Sequence, residues 1–208
     1  MSIHEPPAAP IEPPMECGVS HYRFSVDQYH QMIAAGVLTR DDRVQLLEGE
    51  IVCTTPIGPL HRCAVVSASR VIGKLLPSGW ELMIQQPITL SNSEPKPDVS
   101  IVRLEAALAP DRHPGAADVA LIIEVADSSL PLVRNSKQAI YAAAGIPEYW
   151  IVNLEQRAIE VYREPTPAAG GRATYCVQQQ FGAADAVSVC IAGREIGRIA
   201  VAEIVPKA

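Results

Sequence analysis

The sequence predicts an α/β fold, of the α+β kind in which a mixed β-sheet is flanked by helices, and three observations carry that prediction. Short apolar runs such as "VSIVR", "VALIIEV" and "EYWIVN" are bounded by turn residues, as buried strands are. Two earlier segments, "SVDQYHQMI" and "GPLHRCAVV", repeat their apolar residues at helical spacing instead. A strand at 118–126, then a helix, then two further strands place a helix across a sheet. At 208 residues the chain suits one domain with a substantial core.

Residues 1–20 hold Pro6, Pro7, Pro10, Pro13 and Pro14 without periodicity. They read as a flexible or polyproline-like tail ahead of a domain spanning 21–208. Ser25 followed by Gln28 makes a capping box for a helix through Val26, Tyr29 and Ile33, which Gly36 can end. "RVQLLEGEIVCTTP" reads as a strand pair, or as a helix end that turns at Gly49 into a strand. A second helix runs through Leu60, Ala64, Ser67, Val71 and Leu75 until Pro77 and Gly79 stop it. "WELMIQQPITL" and "KPDVSIVR" read as strands joined by the polar turn "SNSEP", and 104–117 as a looser stretch. After the strand at 118–126, Ser128 or Ser129 can cap a helix with Pro131 in its first turn and Gly145 at its end. "EYWIVN" and "AIEVYRE" are strands around a turn at Glu155–Gln156, and "PTPAAGGRA" is a loop. Further β structure is expected over 173–180 and 187–192, and "IGRIAVAEIV" as a last short helix.

Seventeen basic against twenty-three acidic residues give a net charge of −6. That balance argues against a protein that coats nucleic acid through a broad basic surface, but not against a nuclease whose bound cations offset the repulsion. The five cysteines (Cys17, Cys53, Cys63, Cys176, Cys190) are odd in number and form no Cys-x-x-Cys pair. Neither a disulfide framework nor a zinc site is expected; reduced, mostly buried thiols of a cytoplasmic protein are. No apolar run approaches the roughly 20 residues that cross a bilayer. The N-terminus lacks a basic segment followed by an apolar one, so no secretory signal and no membrane partner are expected.

Three acidic residues sit on or beside apolar strands: Glu48 in "LLEGEIV", Asp98 in "KPDVSIV" and Glu124 in "LIIEVAD". Any one of them, at a strand end, is ordinarily solvated. Three together mean more, because converging carboxylates repel one another unless a divalent cation binds between them. Hard oxygen ligands suit Mg²⁺ or Mn²⁺. Glu124 is the most demanding, since an ionised carboxylate in an apolar run needs a partner, a proton or a metal. The helix after this strand offers Arg134, Lys137 and Tyr141 at i, i+3 and i+7, all expected on roughly one face. Such a face is usually solvated; here the strand carrying Glu124 feeds directly into it, so its cations can return toward the carboxylates. A lysine there could orient an attacking water or neutralise charge at phosphorus. His61, at the start of the second helix, is a further candidate to line the site, although a lone histidine there is most often a surface or capping residue.

The order "LLEGEIV", "PIGPLH", "PDVSIV", "LIIEVADSS", "RNSKQAIYAAAGIPEYWIV" resembles the Uma-two family, within the restriction-endonuclease-like PD-(D/E)XK superfamily. The match runs from about Tyr22 to Val205, and "YAAAGIPEYWIV" is its most specific part. The resemblance implies a restriction-endonuclease-like central mixed β-sheet flanked by helices, with an acidic metal site at one sheet edge. It assigns Asp98 as the metal ligand of the Pro-Asp motif, Glu124 as the acid of the E-x-K half-motif and Glu48 as the entry acid. Residues 124 and 126 of a strand face the same way, so the superfamily's lysine would fall at 126, where this chain has Ala126. Lys137 matches a lysine moved to the next helix, and Val133 stands where relatives commonly place Asp.

The leading functional expectation is a magnesium-dependent endonuclease acting on DNA. Asp98 and Glu124 would hold the metal with the Val125 carbonyl, and Glu48 through water. Lys137 would polarise the attacking water, and Arg134 or Tyr141 would contact phosphate, with His61 lining the site. An enzyme that must cut both strands defaults to a homodimer. The alternative, from a different class, is a non-catalytic nucleic-acid or protein-binding module that retains the fold; a structural scaffold using the "EYWIV" and "AIEVY" strands is a third.

Overall fold

The computed structural model describes residues 21–39, 41–54, 56–166 and 172–206. The expected tail over 1–20 and the middle of the expected "PTPAAGGRA" loop lie outside them. Ser25 caps α1 (Val26–Ala34), its Oγ accepting the Gln28 N–H at 3.1 Å while Gln28 Oε1 accepts the Ser25 N–H at 3.0 Å. The next segment is a strand pair. β1 (Val44–Leu47) and β2 (Glu50–Cys53) join through Glu48 and Gly49, whose φ values of +48° and +80° are those of a two-residue type I′ turn. Beyond it lies α2 (Pro59–Gly73), with a proline in its first turn.

The main sheet has six strands in the order β3-β4-β5-β6-β7-β8. These are β3 (Trp80–Ile84), β4 (Val99–Arg103), β5 (Val119–Ala126), β6 (Glu148–Asn153), β7 (Ala158–Thr166) and β8 (Thr174–Phe181). Only β5 and β6 pair in parallel, which requires a crossover between them. That crossover is the helix expected after Ser128, but it is split. After the short α3 (Leu104–Ala107) and β5 come α4 (Leu130–Leu132), a π-helical turn over Val133–Lys137, and α5 (Gln138–Ala143).

Both faces of the sheet are covered, so β5 and β6 are buried at every position and read as continuous apolar runs. On one face, Ala64, Ala68 and Ile72 of α2 pack with Leu121, Ile123, Val125 and Trp150. The hairpin β9 (Ala186–Ile191) and β10 (Arg194–Ala200) and the short α6 (Val201–Ile204) complete that layer. On the other face, Ile122, Ala126, Tyr149 and Ile151 pack under Ile140 and Tyr141 of α5.

Several expectations are corrected. β3 ends at Ile84 instead of continuing through "PITL": Gln85 takes φ +51° and Pro87 has no N–H for a ladder. "IGRIA" is strand β10, not helix, because it pairs with β9, and its Gly197 passes so close to Leu75 that a Cβ would meet Cδ2 at 2.9 Å. The stretch 104–117 carries α3 and the start of a 3₁₀ turn at Ala116–Asp118. Cys53, Cys63 and Cys176 are exposed and Cys190 half-buried, so the described thiols are not the buried set expected. Among the described residues no helix is long and apolar enough to cross a membrane.

Gly49 is fixed by more than its turn. A Cβ there would lie 2.7 Å from Arg23 Cβ and 3.1 Å from the Phe24 carbonyl oxygen. Gly49→Ala is therefore expected to cost about 1–3 kcal/mol in urea denaturation; an unchanged midpoint would mean that the hairpin can move off the α1 lead-in freely.

Candidate active site

The site forms where β4 begins and β5 ends. Antiparallel pairing sets Val99 opposite Ile123, and one residue further the same register sets Asp98 beside Glu124. Backbone pairing thus makes two carboxylates neighbours that are 26 positions apart in sequence. The Val125 N–H donates to Asp98 Oδ2 at 2.8 Å, so the strand end itself holds that carboxylate.

Glu124 is buried, and its charge is answered from the crossover. Lys137 Nζ lies 2.7 Å from Glu124 Oε1, and Tyr141 Oη donates to the same oxygen at 2.8 Å. Lys137 is itself only 5% exposed, so each charge depends on the other far more than on water. Ala126, on the same side of β5 as Glu124, is packed in the core, and the cation comes from the π-helical turn instead. From the opposite face, the first turn of α2 brings His61 Nε2 to 3.1 Å from Asp98 Oδ2, beside the Val125 carbonyl. Asp98, Glu124, Val125, Lys137 and His61 open on a cleft of about 710 Å³, also lined by Arg43, Gln45, Gln85 and Lys96.

The electrostatics stem from burial. Desolvation raises the Glu124 carboxyl above its ordinary value, Lys137 opposes that rise, and the neighbouring Asp98 charge adds to it. Burial and the Glu124 charge push the Tyr141 hydroxyl well up, so it remains a donor. For His61 burial disfavours the imidazolium, but Asp98 outweighs this and raises its pKa.

Two sequence candidates stand elsewhere. Glu48 occupies the tip of the β1–β2 hairpin, half-exposed, 3.7 Å from Arg172. The cleft is lined by the open end of that hairpin, at Val44, Gln45, Cys53 and Thr54, three residues or about 10 Å away along the strands. Arg134 does not reach Glu124 beside Lys137: it pairs with Glu160 of β7, on the same sheet face with one strand between. The π-helical turn spends five residues where an α-turn spends four, and Lys137 and Tyr141 both reach Glu124. Sequence reasoning missed Arg43 and Lys96 in the cleft; the signal for Lys96 was its place two residues before Asp98 in "KPD".

The donor chemistry fits a hard divalent cation. Both protein contacts to Glu124 fall on Oε1, leaving Oε2 without one among the described residues. With Asp98 and the Val125 carbonyl this makes an all-oxygen set, which Mg²⁺ completes with water. Among the described residues no group of three or more His, Cys, Asp or Glu side chains is placed to hold a metal ion.

Lys137→Met tests the ion pair. Without its cation, the folded-state pKa of Glu124 rises further above the unfolded value, so the native state binds the proton more tightly. The variant's stability is then retained at low pH and lost as pH climbs through that raised pKa. In urea denaturation the deficit relative to wild type should widen from pH 5 to pH 8, reaching about 3–5 kcal/mol. An equal deficit at both pH values would mean that Lys137 does not neutralise Glu124.

Residues 26–200 match the model of the family described as "Uma2: Putative restriction endonuclease". A solved structure of a "putative nuclease belonging to DUF820" from Anabaena variabilis ATCC 29413 superposes with a TM-score of 0.62. It is 13% identical, over 87% of this chain and 97% of that one, and shows the fold. A search among curated proteins gave no match. With its family model matched over nearly the whole described domain, the chain belongs to the Uma2 restriction-endonuclease-like family.

Proposed function

We propose that the protein is a divalent-metal-dependent endonuclease that hydrolyses phosphodiester bonds of DNA. The observation that carries this reading is the pair of neighbouring carboxylates, Asp98 and Glu124, with Lys137 Nζ 2.7 Å from the second of them. Asp98, Glu124 and the Val125 carbonyl would hold Mg²⁺ or Mn²⁺. When bound, that ion supplies Lewis acidity toward a phosphoryl oxygen and lowers the pKa of a nearby water.

The chain's own residues do the rest. Lys137 and Tyr141 aim Glu124 by holding Oε1, and Lys137 counters the rise that burial imposes on its carboxyl. The Lys137 ammonium also puts positive charge where negative charge develops at phosphorus. The Val125 N–H and His61 fix the Asp98 carboxylate from two sides. Arg43 and Lys96, on the cleft wall, are placed to meet phosphates of the nucleic-acid backbone. Because the whole chain is net acidic, these few cations and the metal carry the attraction, which makes binding salt-sensitive. Cleavage of both strands of a duplex calls for two such sites, which favours a homodimer.

The test is nicking of supercoiled plasmid with Mg²⁺ or Mn²⁺. Wild type should cut, and both Glu124→Gln and Lys137→Ala should cut at least about 100-fold more slowly. Cleavage that survives both substitutions, or persists in excess EDTA, would place the activity elsewhere or in a contaminant.

A further inference from the structure

We propose that Arg134 and Glu160 form a positioning clamp that holds the π-helical turn in register and so places Lys137 on Glu124. The inference rests on the reading of Lys137 as the cation of the site. Three observations carry it.

The first is the turn. From Val133 to Lys137 the chain is π-helical, with the Gln138 N–H reaching back five residues to the Val133 carbonyl, which also accepts from Tyr149 Oη at 3.1 Å. A single-turn π-bulge amounts to one extra residue, and reverting to α geometry would rotate the downstream residues by about 100° around the axis. Such a shift would carry Lys137 off Glu124, so something must hold the wider turn.

The second is the anchor. Arg134 makes a two-pronged contact with Glu160, Nε to Oε2 at 2.9 Å and Nη2 to Oε1 at 2.5 Å. Glu160 is 2% exposed and also accepts from Asn153 Nδ2 at 3.1 Å and Tyr162 Oη at 2.8 Å. Both its oxygens are thus engaged by groups fixed on β6 and β7, which makes it a rigid post. A bidentate guanidinium–carboxylate pair constrains orientation as well as distance.

The third is the geometry of the sheet. Glu124 pairs laterally with Ile151, and Ile151 with Glu160, so the two carboxylates stand in one cross-strand row, separated by a single strand or about 10 Å. The π-turn is therefore fastened to the same row at two points, Arg134 to Glu160 and Lys137 to Glu124, three residues apart. A purely structural ion pair has no reason to share the row of the site. This one fixes the angle at which the site's lysine arrives.

The experiment uses the full-length protein and three readouts. Glu160→Gln breaks the clamp from the sheet side; Arg134→Gln breaks it from the half-exposed side and replaces the first variant if that fails to fold. Single-turnover plasmid cleavage should fall about 10- to 100-fold in either variant, with DNA affinity within about threefold of wild type. Arg134→Lys, which keeps charge but not the fork, should recover part of the rate. The Lys137 ammonium resonance, assigned by its loss in Lys137→Met, should move toward that of solvated lysine. A slower rate with that resonance unmoved, or both unchanged while the melting temperature drops, would reduce the clamp to fold stability and overturn the inference. If wild type cleaves nothing, the nuclease reading fails, yet the resonance in wild type against Glu160→Gln still decides whether the clamp sets Lys137.

Discussion

A carboxylate buried in the middle of a sheet is the constraint around which the rest of this molecule is arranged. Glu124 sits in a strand whose every residue is buried, and its isolated charge there would cost several kcal/mol of lost hydration. The chain answers with Lys137 and Tyr141, both delivered by the segment directly after β5 and both placed on one oxygen of the carboxylate. Removing either partner would leave a strained charge; keeping them leaves the second oxygen ready for another cation. Under the proposed function, stability and chemistry are demanded of the same three side chains.

The parallel pairing of β5 with β6 makes this delivery possible. A parallel pair needs a crossover, and a crossover helix returns over the sheet face it has just left. Lys137 therefore comes back over Glu124 because of topology, with the π-helical turn adjusting its angle. Tyr149 and the Glu160 post lock that turn to β6 and β7. On the opposite face α2 contributes His61 to Asp98, so the two layers of the fold meet at the strand ends. The candidate site thus lies at a point where both cores contribute.

Much of this was legible in the sequence because local patterns and global topology agree. The capping box at Ser25 and Gln28, the apolar runs of β5 and β6, and Pro131 at the start of the crossover all form as their chemistry dictates. Asp98 and Glu124 could be singled out because several acids on or beside apolar strands point to one site, although any one of them alone is ordinarily solvated. What was not legible depended on long-range register or on non-standard turns. Nothing in "LLEGEIV" says that Glu48 caps a type I′ hairpin pointing away from the cleft, since only pairing with a partner strand fixes which end faces inward. Helical spacing put Arg134 and Lys137 on one face, but nothing in it says that the first stops at Glu160 of β7 while the second reaches Glu124. Glu160 was invisible for the complementary reason: in "AIEVYRE" it looks like the solvated position of a half-exposed strand, whereas β7 is covered on both faces there.

The proposed function turns on a cation held between Asp98 and Glu124, and anomalous diffraction from crystals soaked in Mn²⁺ tests it most directly. The expected result is one strong peak within coordination distance of both carboxylates and the Val125 carbonyl, lost in Asp98→Ala. Crystals that take up Mn²⁺ only at other carboxylates, with Glu124 still closed on Lys137 and Asp98 on His61, would contradict it.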